Sequence, residues 1–396
     1  MNQLNNQIKF PANRFSMPIC LIIFLTIFSS CAEKNSQQSS DELLISYAID
    51  TVSVDSKGYF FYLSEALGRS FLSKDGKTLY NLNQKKPMLE VVDLTTLVLK
   101  DTIPLEREGP SGIGTYPFYD GFQVMDSGDI FFFAWEELVK LNADRDKVKK
   151  YRFDQLKLTE DTLLPDEVIR YEGLISEDGQ YLFTFFGNKS DIHSRLGLVR
   201  VGLEDLTIKK LDLPIFDELL PFEIKSESSN GYPFTYVEPI HLTQAENQLL
   251  VSSSPFNEAY RIDHDFNRFE RLTFSSMITP DQVEITYPTQ HSSEAKQTNA
   301  IWDRWKQVSF YGLNWDTQSQ KFWRITDQTF MENETNPNKT TLTFFDWELN
   351  QLGEVSLPED WKIRGAPFMA QGMYWQFINI DDEMAFVRLK PTITEK

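Results

Sequence analysis

Positive charge, cysteine and histidine are all scarce in this chain of 396 residues. It holds 39 Lys and Arg against 58 Asp and Glu, with two Cys and four His. A formal charge of −19 argues against a nucleic-acid partner, because a phosphate backbone needs a basic surface. Two cysteines cannot build a disulfide framework or a cysteine zinc site, and four histidines leave little for a histidine metal centre. No apolar run reaches the ~18 residues of a membrane-spanning helix. His-Glu-x-x-His, Gly-x-Ser-x-Gly and Cys-x-x-Cys are absent, so none of the chemistries those spacings carry is indicated. No cofactor is expected.

Aromatic side chains, by contrast, make up 14% of the residues and the hydrophobic fraction is 41%, ample for a packed core. The N-terminal region reads as an address. Lys9 and Arg14 form a basic start, residues 17–28 form a short apolar stretch, and Phe28-Ser29-Ser30-Cys31 follows. This is the length and order of a secretory signal. Two small residues before a cysteine resemble a bacterial lipobox, in which Cys31 is lipidated and becomes the mature N-terminus. Residues 32–42 are largely polar and read as a flexible tether. Removing the signal takes away basic residues only, so the mature body is more acidic still and is repelled by an anionic membrane. Lipid chains then supply the membrane attachment.

The body repeats. An apolar strand, a polar turn and a second apolar strand recur around Asp75-Gly76, Ser127-Gly128 and Asp178-Gly179. Weaker copies lie around residues 241–250, 313–323 and 368–375. A glycine after an aspartate or serine supplies the positive φ that a tight hairpin needs. A second hairpin follows each copy, as in Leu89–Asp93 with 97–99 and in 198–201 with 206–208. Four-stranded antiparallel units at intervals of ~50 residues are the signature of a β-propeller. The expected fold is therefore all-β, with six four-stranded blades over residues 43–390 and a tail at 391–396. A large β-sandwich is the competing arrangement, and residues 54–70 leave room for a seventh blade. The last unit lacks a fourth strand, which residues 43–49 can supply by pairing with 385–389. That closes the ring and hides its edges. Spacing of Ala295, Ala300, Ile301, Trp302 and Trp305 predicts a short helical insertion.

Loops between units are the place to look for a site. Gly114-Thr115-Tyr116-Pro117-Phe118-Tyr119, Asn230-Gly231-Tyr232-Pro233-Phe234-Thr235-Tyr236 and Arg364-Gly365-Ala366-Pro367-Phe368 echo one another. Each precedes an inner strand, so each crosses one face toward the central channel. Either they wedge neighbouring blades together or they form a tyrosine-rich funnel. Arg107, Glu108, Tyr116, Tyr119, Tyr232, Tyr236, Glu238, His241 and Arg364 are the candidate funnel residues. A carboxylate such as Glu238 near His241 suits acid–base work. Asn142–Asp146 and Asp381–Glu383 read as solvated turns, because the former has Lys147 where a calcium loop needs glycine. Seven of the eight tryptophans follow residue 300 and offer either blade packing or a sugar-stacking face.

Glu106-Arg107-Glu108-Gly109-Pro110-Ser111-Gly112, the lipobox and the blade pattern together resemble the six-bladed β-propeller lipoproteins of Bacteroidetes, a family of uncharacterised function. The resemblance spans nearly the whole mature chain and implies a fold and an envelope location, outer-membrane anchored and facing either the periplasm or the surface. It carries no reaction. The functional expectation is a non-enzymatic binding or scaffolding module for a glycan, peptide or envelope protein. The alternative is a hydrolase or lyase acting on a polysaccharide or small metabolite in the funnel.

Overall fold

The computed structural model describes residues 43–394 except 115–118, 135–136, 155–158, 228–233, 264 and 329–337. Cys31, Tyr116 and Tyr232 lie outside the described residues, as do the signal segment and most of the tether.

Six antiparallel sheets follow one another along the chain, each built on four strands from inner to outer edge. Sheet one is Ser70–Leu72, Thr78–Asn83, Met88–Asp93 and Val98–Pro104. Sheet two is Tyr119–Val124, Ile130–Ala134, Leu138–Leu141 and Val148–Tyr151. Sheet three is Leu174–Ile175, Tyr181–Asn188, Gly197–Gly202 and Thr207–Leu211, extended by Glu167–Ile169 and Thr159–Glu160. Sheet four is Ile240–Ala245, Gln248–Ser253, Glu258–Ile262 and Phe269–Thr273. Sheet five is Asn314–Asp316 with Ser309–Phe310, then Lys321–Gln328, Lys339–Phe345 and Gln351–Ser356. Sheet six is Phe368–Ala370, Met373–Ile380 and Glu383–Thr394, with Leu44–Ser53 as its outer strand.

Strand alternation explains how these sheets pack. Successive side chains point to opposite faces, and in Ile130–Ala134 both faces are covered. Phe131 and Phe133 join a cluster with sheet three, while Ile130 and Phe132 join one with sheet one. Trp323 and Phe322 divide in the same way, toward sheets six and four. Each of six apolar clusters bridges two neighbouring sheets, and the last joins sheet six back to sheet one through Trp375, Phe386, Leu79 and Val92. The circuit of sheets is thus closed in the manner of a β-propeller, with a nearly all-β body. Each fully buried phenylalanine in those clusters contributes ~1.5–3 kcal/mol.

Closure comes from the chain ends, as the pattern predicts. Leu44–Ser53 pairs antiparallel with the last strand, from Leu44 opposite Thr394 to Ser53 opposite Ala385. That last strand continues through Thr394, across positions that the sequence pattern assigned to a tail. Among the described residues two α-helices interrupt the β pattern. Helix α1 is Pro214–Leu219. Helix α2 is Glu294–Trp305, capped by the Ser293 side chain accepting from the Lys296 amide. A small sheet of Phe234–Tyr236, Ile224–Ser226 and Gln290–His291 sits with α2 around Ala300, Phe222 and Ile224. No described helix is long and apolar enough to cross a membrane.

Candidate functional site

An antiparallel four-stranded meander runs from one edge of its sheet to the other but begins and finishes at the same end of its strands. Every connection between successive sheets therefore falls on one face of the ring. Among the described residues, 54–69, 105–114, 159–173, 212–227, 234–239, 274–308 and 357–367 gather there, and the small sheet and both helices are among them. The opposite face carries the first hairpin of each sheet, as at Gly76, Gly128 and Gly179, while the middle turns, such as 381–382, share the insertion face. Long insertions collected on one face mark the binding side of repeat folds.

On the hairpin face, polar contacts run across the axis. Lys74 of sheet one pairs with Glu177 of sheet three at 2.6 Å, and the hydrogen bond to Glu177, helped by the charges of Glu177, Asp126 and Glu246, raises the lysine pKa against the opposing effect of burial. The Glu246 amide of sheet four donates to Glu177 Oε1 at 3.1 Å. Thr317 of sheet five donates to the Lys74 carbonyl at 3.4 Å. These contacts draw the hairpin ends of four sheets together.

On the insertion face, between sheets three and four, lies a cavity of about 660 Å³. Its floor is apolar, with Phe185, Phe216, Leu219, Ile240 and Leu242. Ion pairs stand at its rim. Arg195 bonds Glu172 through Nε, rests over the Phe185 ring at 5.8 Å, and donates Nη1 to the Ile192 and Ser194 carbonyls. Lys225 pairs with Glu223 at 2.6 Å. Arg170 stiffens the rim, because its guanidinium donates to the carbonyls of Asn188, Asp191 and Ser194 and so holds the 188–194 turn. Cavities of this size, apolar within and polar at the mouth, suit small ligands or short segments of chain.

The candidate residues divide into three groups. Glu238 belongs to the segment that lines this cavity and meets Tyr236, while His241 lies on the strand that follows. Their side chains are engaged elsewhere. Glu238 is buried and receives Arg304 Nε and Nη2 of α2 at 2.5 and 2.9 Å. Burial pushes the Glu238 carboxyl up, while Arg304 and the Tyr236 hydroxyl oppose that rise. Tyr236 in turn accepts from Trp305 Nε1 at 3.3 Å, and its hydroxyl is pushed up to about 12 by burial and then by the Glu238 charge. His241 does not meet Glu238. Its ring stacks on Tyr311 at 6.5 Å, lies 3.5 Å from Ser254 Oγ and bonds the Phe310 backbone. Some of its surface remains open, yet the ring is enclosed on these sides. Burial lowers its pKa to about 4, with the Arg324 charge adding a smaller push.

A second group stands apart. Arg107 and Glu108 are exposed on the 105–114 turn, whose Gly112 is packed against the Glu108 backbone. Arg364 is exposed beside Gly365, where a Cβ would stand 1.9 Å from the Ala66 carbonyl. That glycine is a seam between sheet six and the 54–69 connection. Tyr119 opens its strand opposite Ala134. The third group, Tyr116 and Tyr232, lies outside the described residues.

Sequence reasoning passed over Glu172, Arg195 and Arg304. Arg304 left a signal, since it lies four residues after Ala300, on the apolar side of a helix, where a cation needs a buried partner. Arg195 left none, because its loop has no motif. The tryptophans split. Trp323 and Trp375 are core, whereas Trp302 and Trp305 are 44% and 47% exposed on α2, perpendicular to each other at 4.9 Å. Among the described residues no group of three or more His, Cys, Asp and Glu is placed to hold a metal ion. Chemically, the arrangement offers an apolar floor, charges of both signs at its rim and an aromatic corner on α2.

Comparison with known proteins agrees with this architecture. The family described as "Domain of unknown function (DUF4221)" matches residues 40–356. A solved DUF4221 member from Bacteroides vulgatus superposes with a TM-score of 0.60 at 14% identity, covering 90% of this chain and all (100%) of its own. A second solved structure, described as a candidate exported protein of Bacteroides fragilis, gives a TM-score of 0.50 at 13% identity, covering 91% and 98%. A search of the curated proteins finds no match. The family match covers most of the chain, through the closing strand and five of the six sheets, and this protein belongs to the DUF4221 family.

Proposed function

We propose that this protein is a lipid-anchored β-propeller of the cell envelope that works as a binding module, taking a peptide, a glycan or a segment of an envelope protein on its insertion face. The observation that carries this reading is the cavity between sheets three and four, with Phe185, Phe216 and Ile240 in its floor and Glu172–Arg195 and Glu223–Lys225 at its rim. Apolar surface supplies affinity, and a few placed polar groups supply orientation. Envelope location is supported by the signal and lipobox ending at Cys31, and by likeness to a protein described as exported. Leu44 stands at the end of its strand remote from the insertions, since the far end, Ser53, lies opposite Ala385 beside the 381–382 turn.

Two measurements test this. Replacing Cys31 with serine should release the protein from the membrane fraction, and a variant that stays there excludes lipid anchoring. A thermal-shift screen with peptides and glycans should find a ligand that raises the melting point, because ligand at 100 times its Kd adds ~2.7 kcal/mol. Leu220→Glu, which charges the cavity wall at an exposed position, should abolish the shift. A shift that survives Leu220→Glu but is lost in Trp302→Ala moves the site to α2 and makes sugar stacking the mode. Turnover of a polysaccharide or small metabolite that Tyr236→Phe abolishes replaces the binding reading with a hydrolase or lyase.

A further inference from the structure

Outer strands of sheets present unpaired N–H and C=O groups, and soluble proteins guard them with charge, proline or a cover. Five outer strands of this ring are guarded. Val98–Pro104 carries Lys100 and Asp101 and ends in proline. Val148–Tyr151 carries Lys149 and Lys150. Thr207–Leu211 carries Lys209 and Lys210 and is covered by Thr159–Glu160 in parallel. Phe269–Thr273 carries Glu270 and Arg271. Gln351–Ser356 carries Glu354 and is overlain by the closing strand, where Tyr47 Oη donates to the Ser356 carbonyl at 3.1 Å.

The closing strand itself is the exception. Leu44–Ser53 has ten residues, with no lysine, arginine or proline. Among the described residues it is the end of its sheet, and most of it is exposed, with Leu44 at 56% and Ile49 at 46%. Its one charge, Asp50, is occupied by Arg388 Nε at 2.8 Å. We propose that this free edge pairs antiparallel with the same strand of a second copy, forming a two-fold dimer.

The strand is self-complementary. A two-fold axis through Ala48, normal to the sheet, sets Leu44 opposite Val52, Ile45 opposite Thr51, Ser46 opposite Asp50 and Tyr47 opposite Ile49. Apolar residues meet apolar or β-branched ones, and no like charges face each other, which is what an isologous contact requires. The body around it carries a formal −19, so two copies repel everywhere except along a strip whose acid is already paired. Long-range repulsion between the bodies is screened within ~8 Å at physiological ionic strength. The dimer therefore strengthens with salt, the reverse of an interface made of ion pairs.

Sedimentation velocity on the full chain in detergent tests this. A dimer should grow with protein concentration and with salt. Ile49→Lys, at an exposed side chain, should weaken it by about tenfold or more. Ala48→Pro, which removes a ladder N–H, should do the same, and if that variant misfolds, Ile49→Lys alone decides. A chain that stays monomeric at every concentration overturns the proposal, whether or not amide exchange shows residues 44–53 covered by the chain's own tether. So does association that Ile49→Lys leaves unchanged, since the contact then lies elsewhere.

Discussion

Two buried groups show how much depends on single partners. Glu238 and Arg304 are almost wholly enclosed, with side-chain exposures of 0% and 1%. Arg304 also donates to the Val308 carbonyl at 3.1 Å, so the pair fastens α2 to the chain entering sheet four. Arg304→Met strands a buried carboxylate and should cost ~3–5 kcal/mol, whereas removing both charges together is close to neutral. Urea denaturation of Arg304→Met, Glu238→Leu and the double variant checks this, and a double variant as unstable as the singles would contradict it. His241 gives a pH prediction. Its pKa is about 4 in the fold against ~6.5 unfolded. The unfolded chain then binds more protons between those values, so stability is full above pH ~6.5 and falls toward pH ~4, by roughly 3 kcal/mol in all. In His241→Gln that component of the acid sensitivity should vanish. Equal slopes of stability against pH in the two proteins would show that His241 is not enclosed as described.

At the level of elements, the hairpins were legible and the covers were not. Gly76, Gly128 and Gly179 take φ of 68°, 88° and 73°, as their Asp-Gly and Ser-Gly turns require. The weaker copies turn on Glu246, Gln320 and Gln371 with φ of 48°, 54° and 57°. Nothing in those residue types announces a left-handed turn, so only their apolar flanks revealed them. The apolar spacing marked α2, but α1 is too short to show a period. The candidate site was legible in part. Of the candidates only Glu238 lines the cavity, whose floor and rim come from four stretches of chain, 172–173, 185–196, 216–225 and 237–242, that only the fold brings together. The 54–63 strap was invisible for the same reason. Its anchor is Glu90, fully buried on sheet one, which accepts from Tyr59 Oη at 3.1 Å, the Tyr62 amide at 3.0 Å, Asn81 Nδ2 at 2.7 Å and Asn83 Nδ2 at 3.0 Å. These donors replace water around a buried carboxyl group. Glu90→Ala should release the strap and cost ~2–4 kcal/mol, with amide-exchange protection lost first in residues 59–63. Protection that stays uniform would assign the strap another anchor.

For the whole molecule, the decisive contact is the one between the two ends. Five of the six sheets are made from consecutive strands, and their hairpins are local and cheap in loop entropy. Sheet six is different, because its outer strand must return from the far end of the chain. Ile45 then enters the cluster between sheets five and six, and Val54 the one between sheets six and one. Asp50 meets Arg388 on the same strand pair. Without the closing strand, the Glu383–Thr394 strand loses its neighbour, and two apolar clusters lose a wall. Residues 43–53 contribute to closure directly, whereas residues 1–42 read in the sequence as a signal and a polar tether. Removal of residues 1–42 should therefore leave the melting point within a few degrees, and removal of residues 1–53 should lower it steeply or abolish cooperative melting. Closure of so long a loop is expected late in folding, after the hairpins have formed. Val52→Ala should then speed unfolding while leaving the refolding rate nearly unchanged. Stopped-flow refolding of Val52→Ala separates the two orders of events. A refolding rate that drops in step with stability would mean that the ends meet first and the sheets are laid down between them.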